Sequence, residues 1–256
     1  MPYTFPFGLH TQKLIQEDTT PKNIFVLTPY VTALHAKWKR FGITVTNAIA
    51  VANQPRLFWD GDYEEAKSII DKIHLSEEVG TLEPAEPYLN NAYSHILENE
   101  ILAPIGCTRD DVWLCALQNE PRANYWQLKL IREKYEPLIR TYSLSCPNIP
   151  PHITMLCDRE RSISIFWELM KSTANLLILL GDEPINQFLK NVTDVPYSSL
   201  NEYIRLYGYG VPTNVSIYGK LIQILPLAAP RRLDPKCSKN QDYIYLHQKW
   251  KSLVRY

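Results

Sequence analysis

The chain has 256 residues, with 27 Lys and Arg against 27 Asp and Glu. At 45% hydrophobic and 21% charged residues it has an ordinary globular composition, which excludes a disordered or fibrous chain. No apolar run approaches the roughly 18 residues of a membrane span. The start, Met1-Pro2-Tyr3-Thr4-Phe5-Pro6, lacks a basic segment followed by an apolar one, so a cytoplasmic protein with no membrane partner is expected.

In chain order, four short apolar runs bounded by turn residues predict buried strands at Ile24–Thr28, Val112–Leu117, Leu176–Leu180 and Leu221–Leu227. Helical spacing appears between them. Ala66, Ile69, Ile70 and Ile73 line one face, and Leu128, Ile131, Tyr135 and Leu138 a second, with Pro137 expected to end or kink that helix. Ile163, Phe166, Leu169 and Met170 predict a third face. The third strand runs into Gly181-Asp182-Glu183-Pro184, where Asp182 reads as a helix N-cap ahead of a first-turn proline. Strands separated by helical stretches predict crossover connections and a mainly parallel sheet covered on both faces. The expected fold is therefore a three-layer α/β/α domain with a central four-stranded, mainly parallel sheet, spanning residues 1–256. The interval 41–110 reads as an elaborated crossover.

Charge is segregated along the chain. Residues 60–100 hold eleven acidic side chains against Lys67 and Lys72. Residues 1–59 hold six basic side chains against Glu17 and Asp18, and the tail from 231 is basic as well. Such a chain can present a basic face to a polyanion despite its zero net charge. The five cysteines (Cys107, Cys115, Cys146, Cys157, Cys237) are odd in number and contain no C-x-x-C pair, which predicts reduced thiols. The six histidines show no metal-ligand spacing, and neither a metal nor a cofactor is expected. G-x-G-x-x-G, P-loop and G-x-S-x-G motifs are all missing, which removes the usual support for dinucleotide, nucleoside triphosphate and α/β-hydrolase chemistry.

In a parallel sheet of this kind ligands bind beyond the carboxyl ends of the strands. The residues following them are Thr28-Pro29-Tyr30, Gln118-Asn119-Glu120-Pro121-Arg122, Gly181-Asp182-Glu183 and Ala228-Ala229-Pro230-Arg231-Arg232. With these residues in this order, the chain resembles the uracil-DNA glycosylase superfamily over roughly residues 23 to 233. Val26-Leu27-Thr28-Pro29-Tyr30 stands where the family ends a strand in Gly-Gln-Asp-Pro-Tyr-His. Phe41 lies thirteen residues beyond Thr28, the spacing of the family's base-stacking Phe. Val112-Trp113-Leu114-Cys115-Ala116 compares with its second strand, Leu177–Gly181 with its third, and Leu225–Arg231 with the strand running into His-Pro-Ser. Thr28 replaces the water-positioning Asp, Ala116 the pyrimidine-reading Asn, and Ala229 the electrophilic His.

The resemblance implies a DNA glycosylase that flips a base out of the stack and hydrolyses its N-glycosidic bond. Stacking falls to Tyr30 or Phe41 beside Thr28, and edge reading to Gln118 or Asn119, whose amides carry both donors and acceptors. Arg122, Arg231 and Arg232 are the candidate phosphate contacts. Asn47, Glu120 and Asp182 are the candidates for activating water or stabilising the cationic sugar, and the sequence does not choose among them. Alanines at 116, 228 and 229 suggest room for an enlarged pyrimidine, such as the modified cytosines of phage DNA, and a part in anti-phage defence. Two alternatives stand beside this expectation. One is a catalytically silent module that binds DNA or senses a damaged base, and the other is an unrelated α/β enzyme acting on nucleotides or sugars.

Overall fold

The computed structural model describes residues 2–90, 93–152, 157–236 and 241–254; Cys237, Lys239 and Arg255 lie outside them. The strands are β1 (Ile24–Tyr30), β2 (Ala33–Arg40), β3 (Ile43–Asn53), β4 (Thr81–Pro84), β5 (Val112–Gln118), β6 (Leu176–Leu180), β7 (Thr213–Ile217) and β8 (Lys220–Leu227). The longer helical segments are α1 (Tyr63–Ile70), α2 (Tyr125–Leu130), α3 (Glu136–Tyr142), α4 (Arg159–Ser172), α5 (Leu200–Tyr207) and α6 (Gln241–Leu253). Two compact units result. The first comprises residues 1–14, 31–92 and 120–154, and the second 15–30, 93–119 and 155–256.

The second unit is mixed α/β, built on a five-stranded sheet in the order β5-β1-β6-β8-β7. All four expected strands are present as β5, β1, β6 and β8, and they are mutually parallel neighbours. Their continuous apolar runs follow from this, because a parallel strand buried on both faces has no solvent face to make polar. The sheet has one strand more than expected: β7 pairs antiparallel to β8 through a two-residue turn. The prolines inside strands sit where one neighbour has ended. Pro29 follows the last β1–β6 pair at Leu27, and Pro226 follows the last β7–β8 pair at Ile224, so neither removes a needed ladder donor.

Strand β5 is an edge, and the chain covers it with side chains. Gln16 Oε1 accepts the Leu114 N–H at 3.1 Å. The Arg161 guanidinium donates to the carbonyls of Ala116 (2.6 Å) and Leu117 (3.1 Å) and pairs with Glu168 at 2.9 Å. Backbone groups that would otherwise template another strand are thereby occupied. Beside them, burial pushes the Cys115 thiol well above its usual range.

Helix α4 starts at Asp158, whose side chain accepts the Arg161 N–H, and it buries Ser162, Ile165, Leu169 and Ser172. The expected face of Ile163, Phe166, Leu169 and Met170 is rotated: Ile163 is exposed and only Leu169 is fully buried. The two serines go inward because each hydroxyl finds a carbonyl on its own helix or cap, Ser162 at Asp158 and Ser172 at Leu169.

The first unit holds an antiparallel sheet of order β3-β2-β4, which the sequence reading did not anticipate. Strand β2 buries Leu34, Ala36 and Trp38 in alternation, and Trp38 anchors the core. Its ring meets Phe7 edge-on at 5.3 Å, and its indole N–H donates to the Val79 carbonyl at 2.8 Å. Burying such a ring contributes on the order of 3 kcal/mol. Tyr135 closes the same cluster: its hydroxyl accepts the Phe7 N–H at 2.8 Å and donates to the Ser145 carbonyl at 2.9 Å. The helix carrying Tyr135 runs from Tyr125 to Tyr142 with a widened turn over Ile131–Tyr135. Pro137 does not end it. The widened turn puts Pro137 in the first turn of α3, where a missing N–H costs nothing.

Both hairpins turn on an aromatic–glycine pair. Phe41 (φ 49°) and Gly42 (φ 75°) join β2 to β3, and Tyr218 (φ 46°) and Gly219 (φ 85°) join β7 to β8. These are two-residue turns with both residues left-handed, a conformation that ordinarily selects Asn-Gly because it strains a Cβ-bearing residue by roughly 1–2 kcal/mol.

Candidate functional site

The carboxyl edge of the parallel strands in the second unit gathers most of the expected site residues. Parallel register sets Thr28 opposite Ala116 and Tyr30 opposite Gln118. Thr28 is buried, while Tyr30, Gln118 and Asn119 are half-buried. No described residue hydrogen-bonds the side-chain amide of Gln118 or Asn119.

Strand β6 delivers Gly181 and Asp182 to the same edge. Gly181 (φ 97°) donates its N–H to the Leu227 carbonyl at 2.9 Å. A Cβ at Gly181 would stand 3.1 Å from that of Ala229, so the turns after β6 and β8 approach closely. Asp182 does not cap its own helix as the sequence suggested. Its Oδ1 accepts the N–H of Leu200, the first residue of α5, at 2.8 Å. Its Oδ2 takes the Arg232 guanidinium at 2.6 Å. Arg232 lies on the short helix Pro230–Leu233 and stacks over the Tyr243 ring at 5.0 Å. Tyr243 in turn donates to Asn201 at 2.7 Å. One carboxylate thus ties β6, α5, the segment after β8 and α6 together. Arg231, on the same short helix, is exposed.

The end of β8 is held from below by a chain of hydrogen bonds whose directions are determined. The His247 Nε2 lies 2.8 Å from the Glu100 carbonyl, which only accepts, so Nε2 carries the proton. Nδ1 must then accept from the Tyr209 hydroxyl at 2.6 Å, and the Tyr209 oxygen accepts the Ala228 N–H at 3.1 Å. Burial lowers the His247 pKa, keeping the ring neutral, and burial raises that of Tyr209. Glu100 is also paired with Lys251 at 2.8 Å. The sequence reading missed this chain because its members lie up to 147 residues apart. Ala116 and Ala228 are buried, so of the three alanines only Ala229 reaches solvent.

The remaining expected residues belong to the first unit. Phe41 forms the β2–β3 turn and is 73% exposed, and Asn47 is exposed on β3. Glu120 and Arg122 lie in the loop before α2, where Ala123 bridges to Pro151. The Arg122 Nε is buried with no hydrogen-bond partner among the described residues.

Among the described residues no helix is long and apolar enough to cross a membrane. No cluster of three or more His, Cys, Asp or Glu among them suits a metal ion. Neither a protein-family model nor a curated protein matches the sequence.

Proposed function

We propose that the chain is a DNA glycosylase of the uracil-DNA glycosylase type, on a three-layer α/β/α sheet, acting on an enlarged pyrimidine. The observation that carries this reading is the coincidence of order: the four segments compared with the family occupy β1, β5, β6 and β8, which are the four mutually parallel neighbours. The side-chain amides of Gln118 and Asn119, which no described residue hydrogen-bonds, suit the edge of a flipped base, and Tyr30 suits its face. Asp182 is the carboxylate candidate that shares a unit with them, and its role is to stabilise positive charge on the sugar as the base departs. Arg231 is the exposed contact for a flanking phosphate.

The test is an abasic-site assay on unmodified, uracil-containing and hypermodified phage DNA. The expected result is alkali-sensitive sites in the hypermodified substrate, lost in Asp182→Asn while DNA binding persists. Equal or greater activity on uracil DNA contradicts the substrate class. A second reading, a silent DNA-binding module, is favoured by the engagement of both Asp182 oxygens within the protein. It predicts salt-dependent binding with no abasic sites from any substrate.

A further inference from the structure

The tip of the β2–β3 hairpin is built in a way that neither its turn nor its packing explains. Phe41 is 73% exposed and Ile43 72%, so the most protruding residues of the hairpin are apolar. Phe41 takes a left-handed backbone that the turn would more readily give to Asn. Among the described residues no aromatic ring packs against Phe41; the Arg40 guanidinium lies over it at 5.3 Å and over Tyr142 at 5.5 Å. Arg40 donates to the Tyr142 hydroxyl at 3.3 Å and to the Glu78 carbonyl at 3.0 Å. The ring thus meets one guanidinium and is otherwise largely exposed. Backbone strain kept where no ring of a described residue packs against the side chain calls for another reason to keep that side chain.

Two of the segments around the tip are basic, and a third, residues 76–80, brings the exposed Glu77 and Glu78 beside Arg40. Residues 33–53 carry Lys37, Lys39 and Arg40 and no acidic side chain. The helical segment 125–142 carries Lys129, Arg132, Lys134 and Arg140 against Glu133 and Glu136. That segment lies along the hairpin. Gln127 in its first turn bonds Ala48 and Ala50, and Tyr142 at its end meets Arg40. Lys39 pairs with Glu83 and Lys129 with Glu133, while Arg132, Lys134 and Arg140 are exposed. Tyr125 and Trp126, edge-on at 5.3 Å and about 70% exposed, add an aromatic pair at the start of the segment, where it meets Ala48 and Ala50.

We propose that the Phe41-Gly42 tip is an apolar wedge that enters a base step of duplex DNA, with the 125–142 segment contacting backbone phosphates. Apolar side chains presented among basic ones match the way wedge proteins unstack a step, and the exposed ring has a base face to meet. The inference rests on the DNA-directed reading above for the identity of the polymer alone. An acidic protein would answer the basic segments but not the exposed ring.

The full chain is titrated into an undamaged duplex carrying 2-aminopurine, whose fluorescence rises when it unstacks. The wild type is expected to brighten the probe. Phe41→Asn suits the turn, so its melting temperature is expected to hold or rise, while brightening is lost and duplex affinity falls roughly tenfold with an unchanged salt slope. Wild-type brightening retained in Phe41→Asn, binding without brightening, or no duplex binding by the wild type overturns the proposal. Brightening that depends on Phe41, with no abasic sites from any DNA, sustains the wedge and removes the glycosylase reading. Abasic sites formed equally by wild type and Phe41→Asn, with equal brightening, do the reverse.

Discussion

In the β7–β8 hairpin, Tyr218 takes a left-handed conformation and its ring packs edge-on against Phe166 at 4.7 Å. In the β2–β3 hairpin, Phe41 takes the same conformation and its ring meets the Arg40 guanidinium. The two turns share geometry and an aromatic–glycine pair, yet in one the protein's own helix supplies a ring for the aromatic and in the other it does not. The difference separates a turn residue retained for packing from one whose ring faces outward. The second unit shows a like contrast: Arg161 and Gln16 occupy the β5 edge, while no described residue hydrogen-bonds the side-chain amides of Gln118 and Asn119 at the carboxyl edge.

That contrast can be attacked at several strengths. The largest effect is expected at the occupied β5 edge. Arg161→Ala leaves the Ala116 and Leu117 carbonyls and the Glu168 carboxylate without their donor, and chemical denaturation is expected to show a loss of about 3 kcal/mol. Next comes acid sensitivity in the first unit. Burial, partly offset by the hydrogen bond to Asn90, lowers the His35 pKa to about 4, and Nδ1 has no partner among the described residues. The unfolded chain then binds a proton below its own pKa near 6.5 that the folded chain refuses. Stability is full above that pH and is lost as pH falls from 6.5 towards 4, by about 3 kcal/mol. His35→Leu is expected to flatten the slope in that window, and an unchanged slope would contradict the assignment.

Smaller effects compare the hairpins directly. Gly42→Ala and Gly219→Ala each force a Cβ into a left-handed residue with nothing within 4 Å, so both are expected to cost about 1 kcal/mol, and equally. The smallest effect separates the partners. Phe41→Asn is expected to stabilise by about 0.5 kcal/mol, because the turn gains its preferred residue and no ring–ring contact is lost. Tyr218→Asn gives up its contact with Phe166, which offsets the same gain and leaves thermal stability nearly unchanged. A larger loss at Phe41 than at Tyr218 would break the comparison.

The parallel strands were legible because burial on both faces writes an unbroken apolar run, as in Leu176–Leu180. The antiparallel sheet was not, although its period was present: Leu34, Ala36 and Trp38 alternate with His35, Lys37 and Lys39. Read for charge, those lysines suggested a basic segment rather than the outer face of a strand. The two-residue turn was hidden because Phe-Gly stands where Asn-Gly is the usual signal. At the candidate site, the segments carrying Thr28, Gln118 and Asp182 were legible as strand ends. What Asp182 holds was not: Leu200 and Arg232 lie 18 and 50 residues away, and no local pattern encodes a tertiary carboxylate. The inward serines of α4 were unreadable for a related reason, since a hydroxyl satisfied by its own helix imitates an apolar residue.

Whether the carboxyl edge removes a base from DNA is decided by counting alkali-sensitive sites after incubating the full chain with hypermodified phage DNA, uracil DNA and plain DNA. Sites are expected to accumulate in the hypermodified DNA and to disappear with Asp182→Asn. Sites absent from all three substrates would contradict base removal.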